Sequence, residues 1–341
     1  MSTEAPETGL CLELRLLGRP QLVQNGTDVV AEIGAKPLAL IAYLAINAPD
    51  RVPRSKLAAT FWTDKSEEAS RYRLRHTLWE LRKTLGRDQI QSNDSACWFS
   101  LDETTWVDVH SFLAGLQRCG VGTKSGPRIS TDLASFSALL LLYRGELLEG
   151  LSVRDAPLFE EWLLVERERL QLLYLEGLWA LAKAQTEASQ LIEAIHTLGR
   201  LIEADPLRER SYRSLMQLHL RLGDRSSALR VYKQCAAALA AELGVSPSLK
   251  TQMLFEMISK GSPEAAMVHL QRAAELLQQQ RYQEAKAACA AAEASASDLF
   301  VGSQIALLRA EIAMAEGRDS ESLSLLRSAR QALFRLMPKR K

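Results

Sequence analysis

Cysteine is scarce in this chain, and long apolar runs are missing. The five cysteines are odd in number and widely separated, and none of them forms a C-x-x-C pair: Cys11, Cys97, Cys119, Cys235 and Cys289. This pattern indicates reduced thiols rather than a disulfide framework or a metal site. No apolar stretch reaches the length of a membrane-spanning helix, and the first nine residues are polar and acidic, unlike a signal peptide. We therefore predict a cytoplasmic protein with no membrane partner.

Catalytic and cofactor motifs are also missing. The five histidines lie in separate predicted elements without an H-E-x-x-H or nucleophile-elbow context, and no G-x-x-x-x-G-K-[ST] phosphate loop occurs. One predicted helix carries four acidic residues next to Arg167 and Arg169: Glu160, Glu161, Glu166 and Glu168. Salt-bridged solvent exposure is more typical of such a group than acid/base catalysis, and an activation surface is the alternative. We expect neither an enzyme nor a cofactor site.

The composition is that of an ordinary globular protein. With 341 residues, 47% of them hydrophobic and 24% charged, the chain is long enough for two or three domains. The formal net charge is only +1, so a nucleic-acid site has to be local. Residues 51–87 carry ten Lys or Arg against four Asp or Glu, which makes this segment the candidate.

The stretch from Ser66 to Gly86 predicts one helix with two chemically different faces. Four leucines recur at i, i+4, i+7 and i+11 and form an apolar stripe: Leu74, Leu78, Leu81 and Leu85. The opposite side carries planar and cationic groups: Tyr72, His76, Trp79 and Lys83, flanked by Arg71, Arg73, Arg75 and Arg82. Glu67 and Glu68 suit its first turn, and Gly86 is expected to be its αL cap. The cationic side is predicted to face a partner.

The elements around this helix occur in the order of a winged helix-turn-helix. Short strands with an Asn25-Gly26 turn come first, and apolar residues from Lys36 to Asn47 form a helix. A second helix starts at Arg54-Ser55 with Ser55 as its N-cap, and a β-hairpin follows the third helix over residues 89–101. In that arrangement the third helix enters the major groove and the hairpin forms the wing, whose Trp98 and Phe99 we expect in its core.

The remainder of the chain predicts paired helices. Every element after Thr131 is expected to be helical, with a linker-like run at residues 120–127. Ala194 and Ala228 lie 34 residues apart in similar contexts, and the segments beginning at Arg281 and Arg318 lie 37 apart. Since 34 residues is the tetratricopeptide period, we predict a helical solenoid whose concave side binds a protein or peptide.

Several of these runs, taken in order, resemble one family. They are similar to transcriptional activators of the Streptomyces antibiotic regulatory protein type, in which an OmpR-like winged helix precedes a bacterial transcriptional activation domain. The runs in the first domain are Leu14-Arg15-Leu16-Leu17-Gly18, the stretch from Lys36 to Leu44, Trp62, and Leu74-Arg75 through Leu85-Gly86. Those in the second are Val107-Asp108-Val109, Tyr143 to Gly150, Trp162 with Glu166-Arg167-Glu168, Asp205 to Glu209, and Glu242 to Ser248.

The resemblance implies binding to direct repeats in double-stranded promoter DNA and recruitment of RNA polymerase, with a homodimer on DNA as a candidate assembly. This chain departs from the family where relatives often have asparagines early in the recognition helix, since it has Tyr72 and Arg73 there. The base preference of relatives therefore does not carry over to this chain.

These patterns together predict an α+β winged helix-turn-helix at residues 10–104, followed by an all-α tetratricopeptide-like solenoid. The solenoid divides into an activation domain at 105–260 and further repeats at 261–337. Arg73, Arg75 and His76 are predicted to contact base edges, with Tyr72 on the same face. The predicted phosphate ligands are Arg54, Ser55, Lys56, Arg71, Arg82 and Lys83. Trp79 either lies at the DNA surface or packs against the wing or neighbouring helices.

A different class of function stays open at this point. The solenoid can be the working part, with the winged helix as a protein-docking module, which would make the chain an adaptor or a peptide sensor. DNA affinity at the non-specific level, about 10⁻⁴–10⁻⁶ M, is what distinguishes this alternative.

Overall fold

The structure is a computed structural model that describes residues 12–86, 88–123, 132–260, 263–295 and 299–336. The chain divides into two compact units, Met1–Asp205 and Pro206–Lys341, which are described separately below. No described helix is both long enough and apolar enough to cross a membrane. Cys11 and residues 124–127 of the predicted linker lie outside the described residues.

The first unit begins with a small α/β domain. Its strands and helices are β1 (Leu12–Arg15), β2 (Gln21–Gln24), β3 (Thr27–Asp28), α1 (Ala35–Ile46), β4 (Val52–Pro53), α2 (Arg54–Phe61), α3 (Glu67–Leu85), β5 (Ile90–Ser92), β6 (Ala96–Phe99) and β7 (Thr105–Val107). One sheet has the order β3-β2-β1-β7, with β1 antiparallel to β2 and parallel to β7; a second sheet, β4-β6-β5, is antiparallel. This is the predicted winged helix-turn-helix.

Local sequence signals account for most of these elements. Asn25 and Gly26 both have positive φ, 47° and 82°, which is the conformation that an Asn-Gly hairpin turn requires. The four leucines of the predicted stripe on α3 are each at most 2% exposed. The Ser66 hydroxyl accepts a hydrogen bond from the Ala69 backbone N–H at 3.3 Å and caps α3. The hairpin turn and the buried side of α3 are therefore confirmed.

Two predicted helix caps are wrong. Helix α2 begins one residue before Ser55, which makes no capping hydrogen bond; the backbone N–H of Arg54 donates instead to the Ser95 carbonyl at 2.9 Å. Gly86 follows α3 with φ 98° and ψ 167°, so it is not in the αL conformation. Its φ is one that L-residues with side chains rarely adopt, so glycine is still required, but to redirect the chain into the wing.

Four helices and the segments that join them follow the winged helix in the described part of the first unit. They include α4 (Asp108–Arg118), α5 (Leu133–Leu140), α6 (Pro157–Glu187) and α7 (Leu191–Ala204), with an irregular segment between α5 and α6. The ring centroid of Phe159 on α6 lies 5.0 Å from that of Phe61 on α2, and that of Trp162 lies 4.5 Å from that of Tyr43 on α1. Aromatic contacts therefore join α6 directly to the helix-turn-helix.

Four of the sequence runs that carry the family resemblance meet at the end of β1. The buried Asp108 carboxylate accepts a hydrogen bond from the Leu17 backbone N–H at 2.9 Å, and Leu17 forms an isolated β-bridge with Leu147. Arg167 donates from Nε to the Leu147 carbonyl at 2.8 Å and from Nη2 to the Leu148 carbonyl at 2.9 Å. Gly18 has φ 105° at this junction, where a Cβ would also lie 3.2 Å from the Cβ of Arg144. These runs therefore have a structural role.

The second unit is helical throughout its described residues. Its helices are α8 (Glu209–Arg221), α9 (Arg225–Leu243), α10 (Leu249–Lys260), α11 (Pro263–Gln278), α12 (Tyr282–Ser295), α13 (Leu299–Ala315) and α14 (Asp319–Leu336). Helices α8 and α9, α11 and α12, and α13 and α14 pack as neighbouring pairs. The starts of α7 and α9 are 34 residues apart and those of α12 and α14 are 37 apart, as the repeat pattern predicts.

Glu209 connects α8 to the start of α10. Its carboxylate accepts hydrogen bonds from the Ser248 hydroxyl at 2.6 Å, the Ser248 backbone N–H at 3.0 Å and the Thr251 hydroxyl at 2.5 Å. Burial by itself raises the pKa of Glu209, but these hydrogen bonds outweigh it and the pKa is lowered. The ionised carboxylate thus stabilises the folded second unit.

Replacing Glu209 with glutamine is expected to lower the free energy of unfolding by about 1 kcal/mol at pH 7, because charge-assisted hydrogen bonds become neutral. The carboxylate's contribution is present above the ordinary pKa of 4.5 and is lost as the pH falls through the lowered pKa, so Glu209→Gln should flatten the acid loss of stability. Urea unfolding at pH 7 and at acidic pH measures both effects. The exposed Glu242→Gln is the matched control, and equal behaviour of the two variants would contradict the expectation.

Candidate nucleic-acid interface

The predicted outer face of α3 is exposed in the structure. Tyr72 is 62% exposed and Trp79 59%, although both are large and partly apolar. Arg73 and Arg75 are exposed as well, and within the described residues neither guanidinium has a hydrogen bond or ion pair. These two side chains can therefore reach a partner without first breaking a contact.

Trp79 is the centre of a small exposed cluster on α3. The Lys83 ammonium lies 5.7 Å from the centroid of its ring, and the His76 ring lies 6.1 Å away. Nδ1 of His76 is 3.6 Å from Oε1 of Glu80. The indole of Trp79 is therefore largely exposed, and its place at the DNA surface stays a prediction.

The other predicted arginines are held by contacts within the protein. Arg82 donates from Nε to the Ile90 carbonyl at 2.9 Å and from Nη2 to the Ser92 hydroxyl at 2.6 Å. Arg54 donates to the Asn93 carbonyl at 3.3 Å, and Arg71 pairs with Glu67 at 2.5 Å. Arg82 therefore fixes strand β5 of the wing to α3. The helical periodicity of the sequence does not reveal this contact.

Two predicted phosphate ligands, Ser55 and Lys56, are exposed in the first turn of α2. The wing beyond them has an ordered turn, in which the Asn93 side chain accepts hydrogen bonds from the backbone N–H groups of Ser95 and Ala96. Phe99 is buried in the wing as predicted, whereas Trp98 is only partly buried, with the Arg51 guanidinium 4.5 Å from its ring centroid. The pair of Arg51 and Trp98 adds an exposed cation to this side of the domain.

An open groove of about 840 Å³ runs between the start of α1 and the side of α3. Its lining combines aromatic, basic and small residues: Lys36, Pro37, Trp62, Ser66, Glu68, Ala69, Tyr72, Arg73, Arg75, His76, Thr77 and Glu80. Nζ of Lys36 donates to the Phe61 carbonyl at 2.9 Å and lies 5.5 Å from the Trp62 ring centroid. Burial lowers the pKa of Lys36. Lys36 therefore joins α1 to the end of α2, and the groove borders the arginines of α3.

The site consists of a cationic helix with an exposed outer face, beside a β-hairpin wing. Helix α3 presents unpaired arginines and exposed aromatic rings, α2 begins with Arg54, Ser55 and Lys56, and Arg82 holds the wing in place. Among the described residues, no group of three His, Cys, Asp or Glu side chains is arranged to bind a metal ion. The arrangement suits a polyanion with flat, hydrogen-bonding edges.

Comparisons with known proteins identify a matching family model and several similar proteins. The family model described as bacterial transcriptional activator domain matches residues 107–259. This segment, slightly less than half of the chain, is similar to bacterial transcriptional activator domains. The regulatory protein AfsR of Streptomyces griseus is 26% identical over 275 residues, which are 76% of this chain and 26% of AfsR. The transcriptional regulatory protein EmbR of Mycobacterium tuberculosis H37Rv is 26% identical over 258 residues, 74% of this chain and 64% of EmbR.

A solved structure extends the similarity to the fold. The structure of Mycobacterium tuberculosis EmbR in complex with a low-affinity phosphopeptide is 25% identical, with a TM-score of 0.54 over 73% of this chain and 65% of that chain. The match thus spans about a quarter of AfsR and less than two thirds of EmbR. The predicted resemblance to activators of the Streptomyces antibiotic regulatory type is confirmed, as is the order of a winged helix followed by a helical part.

Proposed function

We propose that this chain is a sequence-specific DNA-binding transcriptional regulator, and an activator, that binds direct repeats in promoter DNA through α3 and its wing. One observation carries the proposal: Arg73 and Arg75 on α3 are exposed and have no partner among the described residues. Helix α3 is the third helix of a winged helix, and a segment similar to transcriptional activator domains follows it. Arginine donating to guanine O6 and N7 is the commonest base-specific contact in the major groove.

The proposed DNA contacts divide into base contacts and phosphate contacts, according to where each side chain lies and whether it already has a partner in the protein. Arg73, Arg75 and His76 contact base edges, with Tyr72 on the same face. Ser55, Lys56 and Lys83 contact phosphates, since they lie exposed at the edges of that face. Arg54 and Arg71 reach phosphates by exchanging their present partners. Arg82 acts as a positioning residue through its hydrogen bonds to the wing.

In this proposal the helical part of the chain binds protein partners. It contacts RNA polymerase or a regulatory protein, and two copies assemble on DNA that carries a direct repeat. The similar proteins AfsR and EmbR are regulatory proteins by name. In this proposal the chain likewise acts without catalysis. It acts on promoter DNA, so its place is the bacterial cytoplasm. The phosphopeptide in the EmbR structure supports the idea that such regulators bind peptides as well as DNA.

Selection from random duplex DNA with the purified chain tests the proposal. A recovered direct repeat should bind at least about a thousandfold more tightly than a scrambled duplex at the same salt concentration. Affinity for both duplexes is then measured at two salt concentrations, because phosphate contacts alone give a steep and sequence-independent salt dependence. No enriched motif, together with equal affinities of about 10⁻⁴–10⁻⁶ M, would favour the adaptor function in which the winged helix docks a protein.

A further inference from the structure

Helix α6 has an exposed row of aliphatic side chains on the side away from the winged helix. Leu158, Val165 and Leu172 are spaced by seven residues and are 45%, 59% and 60% exposed. A seven-residue spacing places them almost in line along the helix over about 21 Å. Leu164, at 66% exposed, widens the row. The opposite side of α6 is occupied by Phe159 and Leu163, which are fully buried.

Carboxylates interrupt this row at regular intervals. Glu161 and Glu168 alternate with the aliphatic residues on one edge, and both are exposed with no ion pair in the described part of the chain. On the other edge, Arg169 is held by Glu166 at 2.8 Å. The row, Leu158, Glu161, Leu164, Val165, Glu168 and Leu172, is called the α6 face below. Its chemistry is aliphatic and acidic, without a free cation.

This charge pattern decides between a second copy and a different partner. Two α6 faces packed together would bring four carboxylates into one seam, with no cation among the six residues of either face to offset them. A helix with an aliphatic row edged by lysine or arginine would instead bury its aliphatic side chains and pair its cations with Glu161 and Glu168. Charge complementarity thus favours a basic, amphipathic helix.

We propose that the α6 face is a docking surface for an amphipathic helix of a protein partner, whose aliphatic row is edged by lysine or arginine. The proposal rests on the proposed function, in which the helical part contacts a protein, and it names the surface and the chemistry of that contact. It is independent of the DNA site, because none of the six residues lies on α2, α3 or the wing.

A pair of synthetic helices tests the docking surface with the full chain. One peptide of about 20 residues carries leucine at seven-residue spacing with lysine on both edges, and its twin has glutamate in place of every lysine. Fluorescence anisotropy measures the binding of each labelled peptide. The lysine peptide should bind at least about tenfold more tightly than its twin, and Val165→Asp should reduce its binding by a similar factor.

A charge exchange gives the sharper result. The double variant Glu161→Lys with Glu168→Lys should reverse the preference, so that it binds the glutamate peptide and no longer the lysine peptide. Glu187→Lys with Glu193→Lys changes the same charge elsewhere and should leave the preference unchanged. Thermal unfolding checks that every variant folds, which is expected because all these positions are solvent-exposed.

Three results would overturn the docking surface: no binding of the lysine peptide at about 1 mM, binding that the double variant does not alter, or self-association of the wild-type chain that Val165→Asp abolishes. The last result would make a second copy the occupant. Binding of each variant to the selected DNA duplex is measured in parallel. If the wild-type chain does not bind the DNA duplex either, the DNA-binding function is contradicted. The peptide result is then independent of that function.

Discussion

Replacing Arg75 with alanine is expected to weaken binding to the selected DNA site by about 1–3 kcal/mol, or about fivefold to 150-fold, and to relax the sequence preference at one base pair. The Arg75 side chain is exposed on the same helix face as Tyr72 and Trp79 and makes no contact that its removal would break within the described residues. The fold should therefore be unchanged, and the loss should belong to recognition. Titration of the selected duplex and of its single-base variants measures both effects.

Lys83→Ala is the matched comparison on the same helix. Lys83 lies 5.7 Å from the Trp79 ring centroid, near the end of α3, and is proposed to contact a phosphate. Its loss should weaken binding to all duplexes alike and reduce the slope of log K against log salt by about one unit. If Arg75→Ala also weakened every duplex equally, Arg75 would be a phosphate ligand and the base contacts would have to come from Arg73 or His76.

Phe61→Ala is expected to cost about 3–5 kcal/mol of stability in the first unit, the largest effect of any change considered for this protein. Phe61 is fully buried, and its ring lies 5.9 Å from Tyr43, 6.0 Å from Trp62 and 5.0 Å from Phe159 between centroids. Its removal leaves a cavity where α2 meets α6. Unfolding in urea, followed by tryptophan fluorescence, measures the loss.

Phe61→Leu separates volume from aromatic contact in this cluster. Leucine fills most of the space, so the variant should lose about 1–1.5 kcal/mol, well below the loss in Phe61→Ala. Leu158→Ala on the exposed side of α6 is the surface control and should stay within about 0.5 kcal/mol of the wild type. A loss below about 1 kcal/mol for Phe61→Ala would show that the cavity collapses and that α6 is held by other contacts.

Features that depend on neighbouring residues in the chain are predictable from the sequence. The stripe of four leucines on α3 and the Asn25-Gly26 turn follow from helical periodicity and backbone conformation. The same periodicity places Tyr72 and Trp79 on the face opposite the leucines. What these residues contact on a partner does not follow from periodicity, and the assignments of base and phosphate contacts are still predictions.

Features that depend on the approach of distant segments could not be predicted. The Lys36 contact with the Phe61 carbonyl, the Arg82 contacts with the wing and the stacking of Arg51 on Trp98 join elements whose distance is set by the tertiary fold. The wrong cap at Ser55 has the same origin, because the Ser95 carbonyl satisfies the first N–H of α2. From the sequence, Lys36, Arg51 and Arg82 cannot be distinguished from cations that are simply exposed to solvent.

The aromatic contact between α6 and α2 has a consequence for the geometry of a promoter. Since Phe159 packs on Phe61 and Trp162 on Tyr43, direct contacts hold α6 against α1 and α2, which pack on the helix that is proposed to enter the major groove. The direction in which α6 points is then set by the rotational position of the binding site on the duplex. DNA turns once in about 10.5 base pairs. A site moved by half a turn presents α6 on the far side of the duplex, and a site moved by a full turn restores its direction.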